Sequence, residues 1–134
     1  MLIITALYAS LLALIVLWLC YKVVVFRRLK GVDIGDNGNE LGQRHIRAQQ
    51  NAVEYIPLVL VLFAVYELNQ GSHLILHVMG VALVFARLIH PLGFVGKKGI
   101  SFGRFYGTLI TWLCILLLAG LNIFTFINQA ISTL

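Results

Sequence analysis

Four runs of apolar residues, each close to the length a helix needs to cross a lipid bilayer, limit what this chain can fold into more than any other feature. Hydrocarbon about 30 Å thick calls for about 20 residues of helix. The first run extends from Leu2 to Phe26, interrupted only by mild residues and Lys22. The second has its apolar part from Ala52 to Tyr66, behind a polar helical lead-in that starts near Gln43. The third runs from Leu74 to Ile89 and the fourth from Phe105 to Ile127. Lipid offers no hydrogen bonds to an open backbone, so only helices and closed barrels span it, and continuous runs exclude the short alternating segments of a barrel. The expected fold class is an all-α membrane protein, a four-transmembrane-helix bundle with spans at about 2–26, 44–66, 74–91 and 104–128. A single integral membrane domain over 1–134 leaves no room for a second. The composition agrees: 60% hydrophobic residues, 11% charged residues and a mean hydropathy of +0.95 lie outside the range of soluble domains. Apolar residues follow Met1 directly, without the basic start and short core of a signal peptide, so the first span is expected to stay in the mature chain.

The ten Lys and Arg residues are distributed on one side. Lys22, Arg27, Arg28, Lys30, Arg44 and Arg47 surround the first connection; Arg87, Lys97, Lys98 and Arg104 surround the third. The second connection, ELNQGSH, and both terminal segments carry none. The positive-inside rule then puts both basic loops in the cytoplasm and both termini on the other side. The formal net charge of +5 becomes a cytoplasmic field suited to anionic lipid or an anionic substrate. Nucleic acid is excluded as a partner, because the basic residues lie at or beside membrane depth and no nucleic-acid motif is present.

The stretch KGVDIGDNGNELGQ, residues 30–43, reads as a mobile glycine-rich loop. Its acids lack the ligand spacing of a calcium loop, and no phosphate-cradling glycine pattern occurs. Ser72 is a plausible N-cap of the third helix, and Pro91 is expected to end or kink that helix near His90, with Gly93, Gly96 and Gly99 keeping the following link irregular. Cys20 and Cys114 fall inside spans and read as buried, inert thiols. Trp18, Tyr66 and Trp112 read as packing or interfacial aromatics, Glu67 as a solvated loop residue, and His73 and His77 lack the partners for a metal site.

Charge inside the greasy segments is the feature that points to function. At 100° per residue, Arg44, Arg47, Asn51 and Glu54 share a sector of about 80° on the second helix. Arg87, His90 and Phe94 repeat the spacing on the third. A charge at the bilayer centre costs roughly 2.5–3.5 kcal/mol, so these groups are expected to face protein or a wet cavity. Two bland alternatives stand beside that reading: Arg47 and Arg87 snorkel to the interface, or Glu54 pairs with one of them to lock two helices. If Arg47, Arg87 and Arg104 converge, one carboxylate cannot neutralise them, and the surplus suits an anion with polar branches.

The segment Arg47-Ala48-Gln49-Gln50-Asn51-Ala52-Val53-Glu54-Tyr55-Ile56-Pro57 resembles the second-helix signature R-A-x-x-N-x-x-E-Y-x-P of the MAPEG family, the membrane-associated proteins in eicosanoid and glutathione metabolism. The pattern R-x-x-H-x-x-G at Arg87, His90 and Gly93 matches the third helix. The resemblance implies a homotrimer of four-helix bundles, of bacterial type, in an inner membrane, with glutathione as co-substrate between neighbouring subunits. It implies glutathione contacts at Arg27, Arg47, Gln49, Asn51, Glu54, Tyr55, Arg87 and His90, and a thiolate-stabilising catalytic role for Arg104. Phe94 stands where several eicosanoid-forming members carry tyrosine, which points away from an eicosanoid synthase and toward a general glutathione transferase. Its acceptors would be hydrophobic electrophiles or lipids, in detoxification, with glutathione peroxidase activity as an extension. A non-catalytic lipid- or partner-binding protein of the same fold is the alternative. A small multidrug exporter is disfavoured, because the first helix contains no Asp or Glu.

Overall fold

The computed structural model describes residues 1–96 and 101–132; Lys97, Lys98 and Gly99 of the third connection lie outside them. Four helices follow one another: α1 (Ile3–Lys30), α2 (Glu40–Leu68), α3 (His73–Gly96) and α4 (Phe102–Ser132). Each is long and apolar enough to cross a membrane. Every helix exceeds the span expected for it, because polar residues at the ends continue the helix beyond the apolar run.

Local chemistry explains where the helices stop. α1 ends at Gly31, whose φ of 63° lies in the left-handed region, and the N–H groups of Gly31 and Val32 return to the Arg27 carbonyl. Asn39 starts α2 by accepting a hydrogen bond from the Gly42 N–H at 3.0 Å, with Glu40 favourably placed in the first turn. The connection expected over 30–43 is therefore confined to residues 31–39. Ser72 Oγ accepts from the Ile75 N–H at 3.5 Å at the start of α3.

Pro91 does not end α3, which runs on to Gly96. The helix is held there by its neighbour: Ser101 Oγ donates to the Gly93 carbonyl, and a Cβ on Gly93, Gly103 or Gly107 would collide with backbone of the facing helix. Close glycine-lined approach of this kind lets a membrane helix tolerate proline.

The chain runs up and down. Glu67 at the end of α2 meets Ile4 and Thr5 at the start of α1, and Gly93 near the end of α3 meets Gly103 at the start of α4. α2 and α3 touch each other and both remaining helices, whereas α1 and α4 do not meet among the described residues. The core between them is apolar, with Leu12, Val59, Phe63, Leu76, Leu83 and Leu118 fully buried. Leucine, isoleucine, valine and phenylalanine side chains cover much of the outside as well, including Leu14, Leu17, Leu116 and Phe124. A water-soluble monomer does not carry such a surface.

Glu67, expected in solvent, is buried within the last turn of α2. Its carboxylate accepts from the Ile4 N–H at 2.9 Å, the Thr5 N–H at 2.7 Å and the Thr5 hydroxyl at 2.6 Å. It caps α1, whose own N-cap position, Leu2, has no side chain able to do so.

Candidate functional site

The site lies at the end of the bundle where α3 ends and α4 begins, beside the start of α2, the end that also holds Arg27, Arg28, Arg44, Arg47 and Arg104. Three helices line an open-sided cavity of about 550 Å³. α2 contributes Arg47, Asn51 and Tyr55, at intervals of four residues. α3 contributes His90 and Phe94, again four apart, because the helix passes through Pro91 without a break. α4 contributes Arg104, Phe105, Thr108, Leu109 and Trp112. The volume falls within the range of about 300–1,000 Å³ common to small-molecule sites.

Arg87 is not in the cavity wall but directly behind it, 1% exposed. Its Nη1 donates to Asn51 Oδ1 at 2.9 Å, its Nε donates to Thr111 Oγ1 at 3.0 Å, and Nη2 reaches the same hydroxyl. The Thr111 hydroxyl in turn donates a hydrogen bond to the Gly107 carbonyl at 2.8 Å. The guanidinium carbon also lies 5.6 Å from the centre of the Tyr55 ring. One buried cation therefore joins α2, α3 and α4. The Asn51 carbonyl oxygen is taken up by Arg87, so its amino group is the end left for a ligand.

The wall is divided by chemistry. Arg47, Arg104, the Asn51 amino group and the Tyr55 hydroxyl supply donors and positive charge, while Phe94, Phe105, Leu109 and Trp112 supply an apolar flank. Arg47 Nη1 is held by Gln50 Oε1 at 3.2 Å. The guanidinium of Arg104 sits over the Phe94 ring, its carbon 4.4 Å from the centroid. Among the described residues the ion pair found is Arg44–Glu40 at 2.6 Å, outside the cavity, so no carboxylate there neutralises Arg47, Arg87 or Arg104.

Of the residues singled out from sequence, Arg47, Asn51, Tyr55, His90 and Arg104 come together around the cavity. Four stand apart in the single chain. Gln49 turns to α1, its Nε2 3.7 Å from Cys20 Sγ, and Cys20 is half-buried rather than enclosed. Glu54 is exposed on the outer surface of α2 and pairs with neither Arg47 nor Arg87, because that surface faces away from the bundle. Arg27, at the end of α1, keeps its Nε buried without a hydrogen-bond partner. Arg87 is the fourth. The α4 residues Phe105, Thr108, Leu109 and Trp112 were not singled out, and Trp112 had read as an interfacial aromatic. They fall on the helical repeat that starts at Arg104, which is the signal that would have found them.

Comparison with known proteins finds relatives along most of the chain. Residues 5–124 match the model of the MAPEG family. The inner membrane protein YecN of Escherichia coli K12 is 36% identical over 120 residues, covering 90% of this chain and 90% of its own. The protein of that name from Escherichia coli O6:H1 matches equally. With nine-tenths of its length shared at this identity, and the signature residues of α2 lining its cavity, the chain belongs to the MAPEG family.

Proposed function

We propose that this protein is a membrane-bound glutathione transferase that conjugates the glutathione thiolate to hydrophobic electrophiles. The observation that carries the reading is a cavity in which cations with no carboxylate partner among the described residues, together with neutral donors, face an apolar flank. Glutathione has two carboxylates, which arginines recognise bidentately, and peptide carbonyls, which the Asn51 amino group and the Tyr55 hydroxyl suit as donors. An acceptor dissolved in lipid would rest against Phe105, Leu109 and Trp112.

Conjugation needs thiolate. An unperturbed thiol titrates near about 8.5, and lowering it by ~2 units takes about 2.7 kcal/mol of preferential anion stabilisation. A guanidinium ~4 Å from the sulfur contributes about 4 kcal/mol at an effective dielectric of about 20, which covers it. Arg104 is the residue assigned to this task. The thiol proton leaves to solvent, the sulfur forms a carbon–sulfur bond to the electrophile, and the leaving group departs with its electron pair. Holding both reactants in one cavity supplies much of the remaining acceleration. With a lipid hydroperoxide as acceptor, two glutathiones reduce it to the alcohol and water and are themselves oxidised to glutathione disulfide.

In this reading the basic end of the bundle faces the cytoplasm and the termini face away, in an inner membrane like the one in the name of the Escherichia coli relative. A homotrimer completes the site, with the outward Glu54 available to the glutathione ammonium. Isothermal titration of the purified protein with glutathione, paired with conjugation of a nitroaromatic acceptor, tests the reading. Arg47→Ala is expected to weaken glutathione binding about tenfold or more, the magnitude of a charge-assisted hydrogen bond. A protein that neither binds glutathione nor conjugates it to any of several electrophiles contradicts the proposal. Affinity without turnover selects the non-catalytic binding protein, a reading favoured by the absence of Glu54 from the cavity wall of the single chain.

A further inference from the structure

Arg104 stands where its own helix disfavours it. It is in the first turn of α4, where unpaired N–H groups carry the positive end of the helix dipole. Residues at the end of α3 hold it instead. Ser101 Oγ donates to the Gly93 carbonyl and accepts from the Arg104 N–H at 3.4 Å, so the backbone of Arg104 is tied to Gly93. A side chain on Gly93 would collide with that same nitrogen. One residue further, the Phe94 ring lies against the guanidinium, 4.4 Å from carbon to centroid and within the ~6 Å reach of a cation–π contact. The ring rests in turn on His90, 5.5 Å away and buried in the α3–α4 seam. Among the described residues no carboxylate lies within ion-pair distance of Arg104.

We propose that Phe94 is the positioning residue for Arg104: its ring face holds the guanidinium at the cavity wall and thereby sets how far a bound glutathione thiol is acidified. The inference rests on the transferase reading. An aromatic face suits this task because it attracts the cation without occupying any of its five N–H donors. A carboxylate in the same place would hold Arg104 more firmly and cancel the charge the thiolate needs. Phe94 touches the cation through its π face and leaves the donors free for sulfur.

The test compares wild type, Phe94→Leu and a protein carrying a pentafluorinated ring at position 94, which keeps the shape of Phe94 and reverses the sign of its face. Thiolate absorbance of bound glutathione is titrated against pH, and affinity for S-methylglutathione, which has no ionisable thiol, is measured in parallel. Phe94→Leu is expected to lower the bound thiolate fraction at neutral pH about twofold to fivefold, with the fluorinated ring at least as damaging and S-methylglutathione affinity little changed. If wild type acidifies the thiol and both replacements acidify it equally, the positioning role is overturned while the transferase reading stands. If both ligands lose affinity in parallel, Phe94 is a packing residue of the cavity and the proposal is likewise overturned. Wild type that binds no glutathione overturns both.

Discussion

At the scale of the residue, Arg87 separates two uses of a buried cation. It is almost fully enclosed and its partners are dipoles and a ring, with no carboxylate among the described residues. Burying a charge costs several kcal/mol, and an apolar side chain of similar length often leaves stability unchanged or improved. Arg87→Met is therefore predicted to keep thermal stability in detergent within about 1 kcal/mol of wild type or to raise it. The same change is predicted to weaken glutathione binding about tenfold, because the cavity loses positive potential and the Asn51 amide loses the partner that orients it. A variant that melts far earlier yet binds normally would mark Arg87 as a purely structural tie. The stripe containing Arg87 was legible in the sequence; its retreat behind Asn51 was not. That placement depends on Thr111, from a helix whose rotation no spacing within α3 could reveal.

At the scale of the element, the seam between α3 and α4 places the site. A Cβ on Gly107 would press on the Ala86 carbonyl and on the Cα and Cβ of His90, none of which can swing aside. Gly107→Val is predicted to cost about 2–3 kcal/mol of stability and to displace His90 and Phe94 from Arg104, read as lower melting temperature and lost glutathione affinity. Gly120→Ala on the same helix meets open space and is predicted to be neutral or stabilising by up to about 1 kcal/mol. At the opposite end of the bundle, Glu67→Ala removes the acceptor for three α1 donors and is predicted to destabilise by about 1–3 kcal/mol without altering glutathione binding. The start of α3 was readable from Ser72, whereas α2, expected from near Gln43, begins at Glu40 behind the Asn39 cap inside the stretch read as a loop. Pro91 and Glu67 misled for one reason: proline and glutamate normally belong at helix ends or in water, and only contacts from a distant element, Gly93 with α4 and Glu67 with α1, override that preference.

At the scale of the whole molecule, four apolar helices and their basic end were written in hydropathy and in the positions of Lys and Arg. Which faces turn inward was not. The most apolar window of α4 is only 17% buried in the single chain, so lipid or a second copy must cover the rest. Glu54 and Arg27 belong to the same question, since the cavity of one chain does not use them. The cavity itself follows from three helices bringing Arg47, Asn51, His90 and Arg104 to one level, and its excess of positive charge is the central claim. Titrating the thiolate absorbance of glutathione bound to wild type and to Arg104→Ala tests it most directly. The account predicts a wild-type thiol acidified by about 1–2 units from its usual value near about 8.5, and a return to that value in Arg104→Ala with S-methylglutathione still bound. Glutathione that binds wild type as the neutral thiol, or an acidification that survives the loss of Arg104, would contradict it.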